Sequence, residues 1–317
     1  MQANAPKTPT TLQALGRRIG VLAGSLLLLA ILVLCWQLQV LPLAWDWLLR
    51  PDRPAAPPST ALSLADYRVT IEARPIEGIG DNASGLTYNP ETGTLFVVIN
   101  RPAAVAEVSS EGRLMRLMPL DGVRDPEDIA HVGGDLFLVG DERQNRVHWL
   151  HIGPDAARLS VAGQPSLQLP AVTLRNHGIE GVAWDPTHQR LYVSQEIWPR
   201  KLWAIDGLRA DGPAPGSQQV ADWHPAGGGM VPLGDYSALA VHEASGQLLV
   251  LSKLTGMALA YTPDGQLAGM LPLWPGLRGL QRRVPQPEGM AFDDRRRLYL
   301  VSEPNLLYRF EPLPPAR

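Results

Sequence analysis

The chain has 317 residues, 45% of them apolar, with a formal net charge of −3 and a pI of about 6.2. That is enough apolar material for one large core plus an appendage, and nothing basic enough for a nucleic-acid footprint, so no nucleic-acid partner is expected. Gly and Pro number 30 each, which argues against a helical protein and suits many short strands joined by turns, and the single cysteine, Cys35, excludes an intrachain disulfide.

Residues 1–18 are polar and carry Lys7, Arg17 and Arg18, whereas no residue from 19 to 44 is charged. A run of that length spans a bilayer as a helix. The positive-inside rule then leaves 1–18 in the cytoplasm and sends the rest of the chain across. Trp36, Trp45 and Trp47 fit an interfacial belt. A cleaved signal peptide is the poorer reading, because the run exceeds a usual h-region and no A-x-A site follows. Residues 45–61 are Pro/Ala-rich and read as a linker. The globular domain is assigned to 62–317.

Beyond residue 62, apolar positions alternate as in strands. Five stretches repeat one another: Ser84-Gly-Leu-Thr87, Glu127-Asp-Ile-Ala130, Glu180-Gly-Val-Ala183, Ser237-Ala-Leu-Ala240 and Glu288-Gly-Met-Ala291. Each is followed by a turn and an apolar run. A unit recurring at such a period marks a radial or stacked repeat architecture. Four strands per unit predict a five-bladed β-propeller. The fifth unit lacks its fourth strand and one strand, 67–73, is left over at the front. Placing it as the outer strand of the last blade closes the ring and removes an exposed edge. A sixth blade would have to fit in 153–173 or 206–233, where there is no room.

In a propeller the first strand of each blade lines the central channel and the second returns beside it. That geometry sets Glu127 beside Asp141 or Glu142, Glu180 beside Glu196, and Glu288 beside Glu303, all at one mouth of the channel. The other two blades bring Ser84 with Asn100 and Ser237 with Lys253. Asn82, Asp125, Asp235 and Gln286 lie just upstream. Converging carboxylates either hold protons or hold a cation. Oxygen-only ligands suit a hard cation such as Ca²⁺, so Glu127, Glu142, Glu180, Glu196, Glu288 and Glu303 are the candidate metal ligands. Asn82, Ser84, Asn100, Asp125, Asp235, Ser237 and Lys253 are candidate rim and ligand-binding residues. The competing account is that the acids cap strand amides or pair with Arg124, Arg143, Arg200 and Lys253. His177, three residues before Glu180, is the candidate general base.

Asn82-Ala-Ser-Gly-Leu-Thr-Tyr-Asn-Pro90, Asp125-Pro-Glu-Asp-Ile-Ala130, Gly178-Ile-Glu-Gly-Val-Ala-Trp-Asp185, Leu248-Leu-Val-Leu-Ser252, Pro285-Gln-Pro-Glu-Gly-Met-Ala291 and Ser302-Glu-Pro-Asn-Leu-Leu-Tyr-Arg-Phe310 together resemble the bacterial SdiA-regulated, YjiK-like family. The resemblance covers about residues 65–311 and implies a five-bladed propeller with a calcium site. It also implies distant kinship to NHL-repeat propellers and to calcium-dependent lactonases and phosphotriesterases, in which a Glu-Gly opening an inner strand supplies a calcium ligand. Glu180-Gly181 and Glu288-Gly289 match that pattern, while Glu127-Asp128 departs from it and Lys253 stands where three other repeats carry an acid. The expectation is a single-pass protein of the bacterial inner membrane with a periplasmic propeller. It would bind calcium and act as a module for a small molecule or protein partner; a calcium-dependent hydrolase of lactones or phosphoesters is the alternative.

Overall fold

The computed structural model describes residues 11–37, 62–170, 178–196, 200–209, 211–213 and 217–313. Residues up to 56 and from 57 onward form two separate compact units.

The first unit contains one helix, α1 (Thr11–Gln37). It begins on a polar stretch that includes Gln13, Arg17 and Arg18, and it ends short of Ala44. Among the described residues no helix is long and apolar enough to cross a membrane. That finding overturns the span expected over 19–44 and the single-pass inner-membrane location. α1 starts in the polar, arginine-bearing stretch before Ile19 and covers only part of the uncharged 19–44, so it is not the helix over 19–44 that the span required. The periplasmic side assigned to the second unit rested on that span and falls with it. The linker expected at 45–61 lies outside the described residues.

The second unit opens with β1 (Tyr67–Pro75) and then builds blade by blade. Blade 1 is β2 (Ala83–Asn89), β3 (Thr94–Asn100), β4 (Ala103–Val108) and β5 (Leu114–Asp121). Blade 2 is β6 (Pro126–Gly133), β7 (Leu136–Asp141), β8 (Arg146–His151) and, after the excursion β9 (Leu159–Ser160), β10 (Ser166–Gln168). Blade 3 is β11 (Ile179–Asp185), β12 (Arg190–Gln195), β13 (Lys201–Asp206) and, beyond a hairpin of β14 (Leu208–Arg209) and β15 (Gly212–Pro213), β16 (Gln219–Asp222). Blade 4 is β17 (Ala238–His242), β18 (Gln247–Ser252), β19 (Met257–Tyr261) and β20 (Leu267–Pro272). Blade 5 is β21 (Gln286–Phe292), β22 (Leu298–Glu303) and β23 (Leu306–Pro312). Its outer strand is β1, paired antiparallel with β23 from Tyr67↔Pro312 to Pro75↔Leu306.

The fold is therefore the expected five-bladed propeller, closed by its N-terminal strand. Second strands such as β3 (Thr-Leu-Phe-Val-Val-Ile-Asn) are apolar on both faces because blades stack face to face, so neither face meets water. The core is accordingly a set of layers between blades. Leu86, Val97 and Ile99 pack against Tyr299, Val301 and Leu307 between blades 1 and 5, and Trp149, Trp184 and Trp203 are buried between blades 2 and 3. A tight turn joins β2 to β3, with Asn89 Oδ1 accepting the Glu91 amide at 2.9 Å and Gly93 supplying φ +68°. The strand β9 was not expected. It adds parallel to the outer edge of blade 1 at Leu120↔Leu159, covering an edge that would otherwise be open.

Candidate metal centre at the channel mouth

The local cause of the site is a β-bulge that recurs at one position of the inner strands. Register breaks fall between Ala83 and Gly85, Pro126 and Ile129, Ile179 and Gly181, and Pro287 and Gly289. The residues inside those breaks are Ser84, Glu127 with Asp128, Glu180 and Glu288. A bulge leaves its extra residue out of the ladder and re-aims its side chain. The following glycines have a packing reason. A Cβ on Gly85 would lie 2.5 Å from the Asp128 Cα, and one on Gly289 would lie 2.6 Å from the Leu86 amide nitrogen. The inner strands approach too closely at this level to admit a side chain from every blade.

Blade 2 fills the axis instead. The Asp128 carboxylate, 1% exposed, accepts the Ile129 and Val182 amides at 2.8 Å each and also the amides of Leu86 and Leu239. One carboxylate thus ties the inner strands of blades 1 to 4. Burial pushes its pKa up while those four amides act in the opposite direction. The Asp that breaks the Glu-Gly pattern is the axial clasp of the ring, a role the sequence reading missed. Its signal was present: the other repeats carry Gly85, Gly181, Ala238 and Gly289 at that place.

Above the clasp, the expected acids separate into two groups. One carboxylate oxygen each from Asp125, Glu127 and Glu142 lies within 4.8 Å of the others. Glu142, not Asp141, is thus the second-strand partner of Glu127. Asp141 is fully buried and accepts the Arg124 amide at 2.9 Å and the Gln144 amide at 3.1 Å. Glu180 is 7% exposed and makes no hydrogen bond or ion pair with a described residue. Its charge is opposed by burial first, then by Glu127 and Glu196, which together outweigh the attraction of Lys253, so its pKa stands well above the usual carboxylate range. Burial raises Glu142 too, and pushes Glu127 up to about 8 against the Asn100 hydrogen bond, helped by Asp125, Glu142 and Glu288. Asn100 donates from Nδ2 to Glu127 Oε1 at 3.4 Å, and its buried Oδ1 has no hydrogen-bond partner among the described residues.

The second group is already neutralised. Lys253 Nζ sits 2.7 Å from Glu196 Oε1 and 3.1 Å from Glu288 Oε1. Burial works against the Lys253 charge, but Glu288, Glu180 and Glu196 outweigh it and hold the ammonium's pKa up. Burial lifts Glu288 to about 8 in spite of Lys253, and Glu303 lies close enough to add to that shift. The internal pairing weighed from the sequence is therefore found for Glu196 of blade 3 and Glu288 of blade 5, both held by Lys253 of blade 4.

Asp125 of the first group is also held by two arginines, and the remaining candidates hold the scaffold. Asp125 is buried at the rim, with Arg101 3.3 Å and Arg143 3.2 Å from its Oδ2. Asp235 is fully buried and accepts the Ser252 hydroxyl and the Leu254 amide. Ser237 Oγ donates to the Pro287 carbonyl at 2.9 Å, and Ser84 Oγ to the Asn82 carbonyl at 3.4 Å. Asn82 sits in a left-handed turn at φ 70° and donates to the Arg101 carbonyl at 3.5 Å. His177 lies outside the described residues.

Fold and site together define a five-bladed β-propeller with a carboxylate-lined channel mouth. The chain belongs to the SdiA-regulated family, whose model matches residues 59–311. Similar solved structures include a gluconolactonase, XC5397, from Xanthomonas campestris, at 19% identity, 84% of this chain and 99% of that one, and a TM-score of 0.47. Another is a calcium-binding regucalcin from Agrobacterium tumefaciens, at 13% identity, 75% and 93% coverage, and a TM-score of 0.45. A luciferin-regenerating enzyme matches at 14% identity, 77% and 96% coverage, and a TM-score of 0.48.

Proposed function

We propose that this protein is a binding propeller that holds one divalent cation, Ca²⁺, at the mouth of its channel, with Asp125, Glu127, Glu142, Glu180 and Asn100 as the oxygen donors. The observation that carries the reading is Glu180: a carboxylate 7% exposed, without a hydrogen bond or ion pair to a described residue, in the field of Glu127, Glu196 and Glu142, which the more distant charge of Lys253 only partly offsets. Burying a charge without a partner is costly unless a cation supplies it. The donor set is all oxygen and offers no Cys or His among the described residues, which suits a hard cation over zinc. The orphaned Asn100 Oδ1 is a further neutral ligand atom. Lys253 supplies the positive charge on the far side, so Glu196 and Glu288 stay outside the cation's shell.

The chemistry available from these residues is recognition. The bound cation would offer its open side to an anionic or carbonyl oxygen of a ligand, and exposed Arg101 and Arg143 stand at the same rim. A calcium-dependent hydrolase of lactones or phosphoesters is the second reading. It is favoured by one observation: the unpaired acids belong to blades 2 and 3, which leaves the cation open on its other side.

Calcium titration calorimetry on the chelator-stripped full chain tests the reading. Binding should be saturable, and Glu180→Gln should weaken it roughly 10- to 100-fold. Glu303→Gln should leave it unchanged. No binding, or equal losses in both variants, sinks the site. A lactone and phosphoester panel run with and without calcium separates the two readings, since metal-dependent turnover would make the cation catalytic.

A further inference from the structure

Beyond the Asp128 clasp, at the end of the channel away from the carboxylate mouth, lies a cavity of about 60 Å³ lined by all five inner strands. By the measure in which about 10–15 Å³ holds one water, it has room for roughly four to six waters, or for an ion with a few of them. Most of the lining residues carry apolar side chains, yet the atoms that face the space are mainly polar. The wall is therefore largely main chain. The architecture explains this. Leu86, Ile129, Val182 and Met290 pack their side chains into the layers between blades. Their strands then turn an edge, with its row of N–H and C=O groups, toward the axis.

The hydrogen bonds fix which of those groups point inward. The amides of Leu86, Ile129, Val182 and Leu239 all reach the Asp128 carboxylate on the axis. In an antiparallel strand the N–H and C=O of one residue lie on the same side. The carbonyls of these four residues therefore point to the axis as well, one step further from the mouth, on the cavity side of the clasp. Met290 holds the equivalent place in blade 5, directly after the bulge that ends at Gly289. Among the described residues no side chain or loop amide donates to any of the five carbonyls.

The charge around this ring is negative. The Asp128 carboxylate stands on one side of it, and Glu243 lines the cavity on the other. Asp294 and Asp185 add negative charge around Glu243, and His131 opposes it. Among the described residues no lysine or arginine lines the cavity. Further out, the alternate residues Tyr88, Trp184, Val241 and Phe292 turn amides inward. An anion held by those amides would lie on the side of Glu243, where the field repels it.

We infer that the ring of main-chain carbonyls from Leu86, Ile129, Val182, Leu239 and Met290 binds a monovalent alkali cation, Na⁺ or K⁺, on the axis of the propeller, with Glu243 as the charge at its entrance. Rings of neutral carbonyl oxygens replace the hydration shell of an alkali ion. A divalent ion takes much of its affinity from carboxylate ligands, and those converge at the other mouth. The alkali ion ties together the same inner strands that Asp128 clasps.

Thermal unfolding of the full chain, with chelator present, tests the inference in NaCl, KCl and N-methylglucamine chloride at equal ionic strength, so that screening is the same in each. Na⁺ or K⁺ should raise the melting temperature by about 3 °C or more over the bulky cation. The rise should saturate, with a midpoint on the order of 10 mM. The same rise in Glu180→Gln separates this site from the carboxylate mouth. Glu243→Lys reverses the charge of an exposed residue and should move the midpoint to about tenfold higher concentration. Crystals soaked in RbCl should show an anomalous peak on the axis between Asp128 and Glu243, in contact with the carbonyl oxygens. Equal melting in all three chlorides, loss of the rise in Glu180→Gln, or an unmoved midpoint in Glu243→Lys overturns the inference. So does a rubidium peak at the carboxylate mouth alone, or no peak, which would leave the cavity to water.

Discussion

His242 is the clearest case of one residue setting a property of the whole ring. It is 3% exposed, its Nδ1 lies 2.7 Å from the Ser245 hydroxyl, and its ring stands 4.9 Å from Phe292. Burial, with Arg296 adding to it, lowers its pKa to about 4. A depressed histidine is neutral in the fold and protonates more readily when unfolded. Its contribution is therefore complete above about pH 6.5 and is lost as pH falls through about 4. Chemical denaturation at a series of pH values should show wild type losing on the order of 3 kcal/mol across that window through this residue. His242→Asn should lose correspondingly less, and parallel curves for the two proteins would show that His242 does not carry the dependence. Side-chain roles of this kind were only partly legible in the sequence. The glutamates at the start of the repeats could be placed at the mouth because their spacing is periodic. The separation of Glu196 and Glu288 from Glu127 and Glu180 could not, because it depends on which way one Lys253 side chain reaches. Asp235 read as a rim residue and is fully buried, accepting the Ser252 hydroxyl and the Leu254 amide, contacts set by how the chain turns after β18.

At the scale of single elements, β1 carries more of the fold than its position at the front of the domain suggests. It supplies the fourth strand of blade 5, buries Tyr67 and Ile71, and donates the Tyr67 hydroxyl to the Arg296 carbonyl at 2.7 Å. Tyr67 also packs within the layer between blades 4 and 5. Burial of a large apolar side chain contributes about 1.5–3 kcal/mol, so the two residues together hold a large part of a domain's typical 5–15 kcal/mol. Ile71→Ala should lower stability by about 2–5 kcal/mol in urea unfolding. Deleting 62–75 should remove the cooperative transition and expose the edge of β23 to aggregation. A deletion that melts like wild type would mean that the ring closes without its N-terminal strand. This closure was legible because the arithmetic of four strands per repeat left one strand over and one vacancy. The strand β9 was not, because two residues in a Gly- and Pro-bounded loop carry no alternation, and their pairing with Leu120 and Asp121 is decided by a tertiary contact.

Over the whole molecule, the axis is divided at one level. The bulged inner strands converge on Gly85, Gly181 and Gly289, and the single Asp128 carboxylate closes the remaining space by accepting amides from blades 1 to 4. A floor built from backbone amides and a buried carboxylate has little freedom to move, because every displacement leaves a buried donor unpaired. Asp128→Ala should therefore leave the Leu86, Ile129, Val182 and Leu239 amides without their acceptor at the centre of the ring. An orphaned buried donor costs about 1–3 kcal/mol, so urea unfolding should show a loss of at least about 3 kcal/mol. A variant that unfolds like wild type would mean that the inner strands hold the axis without the carboxylate.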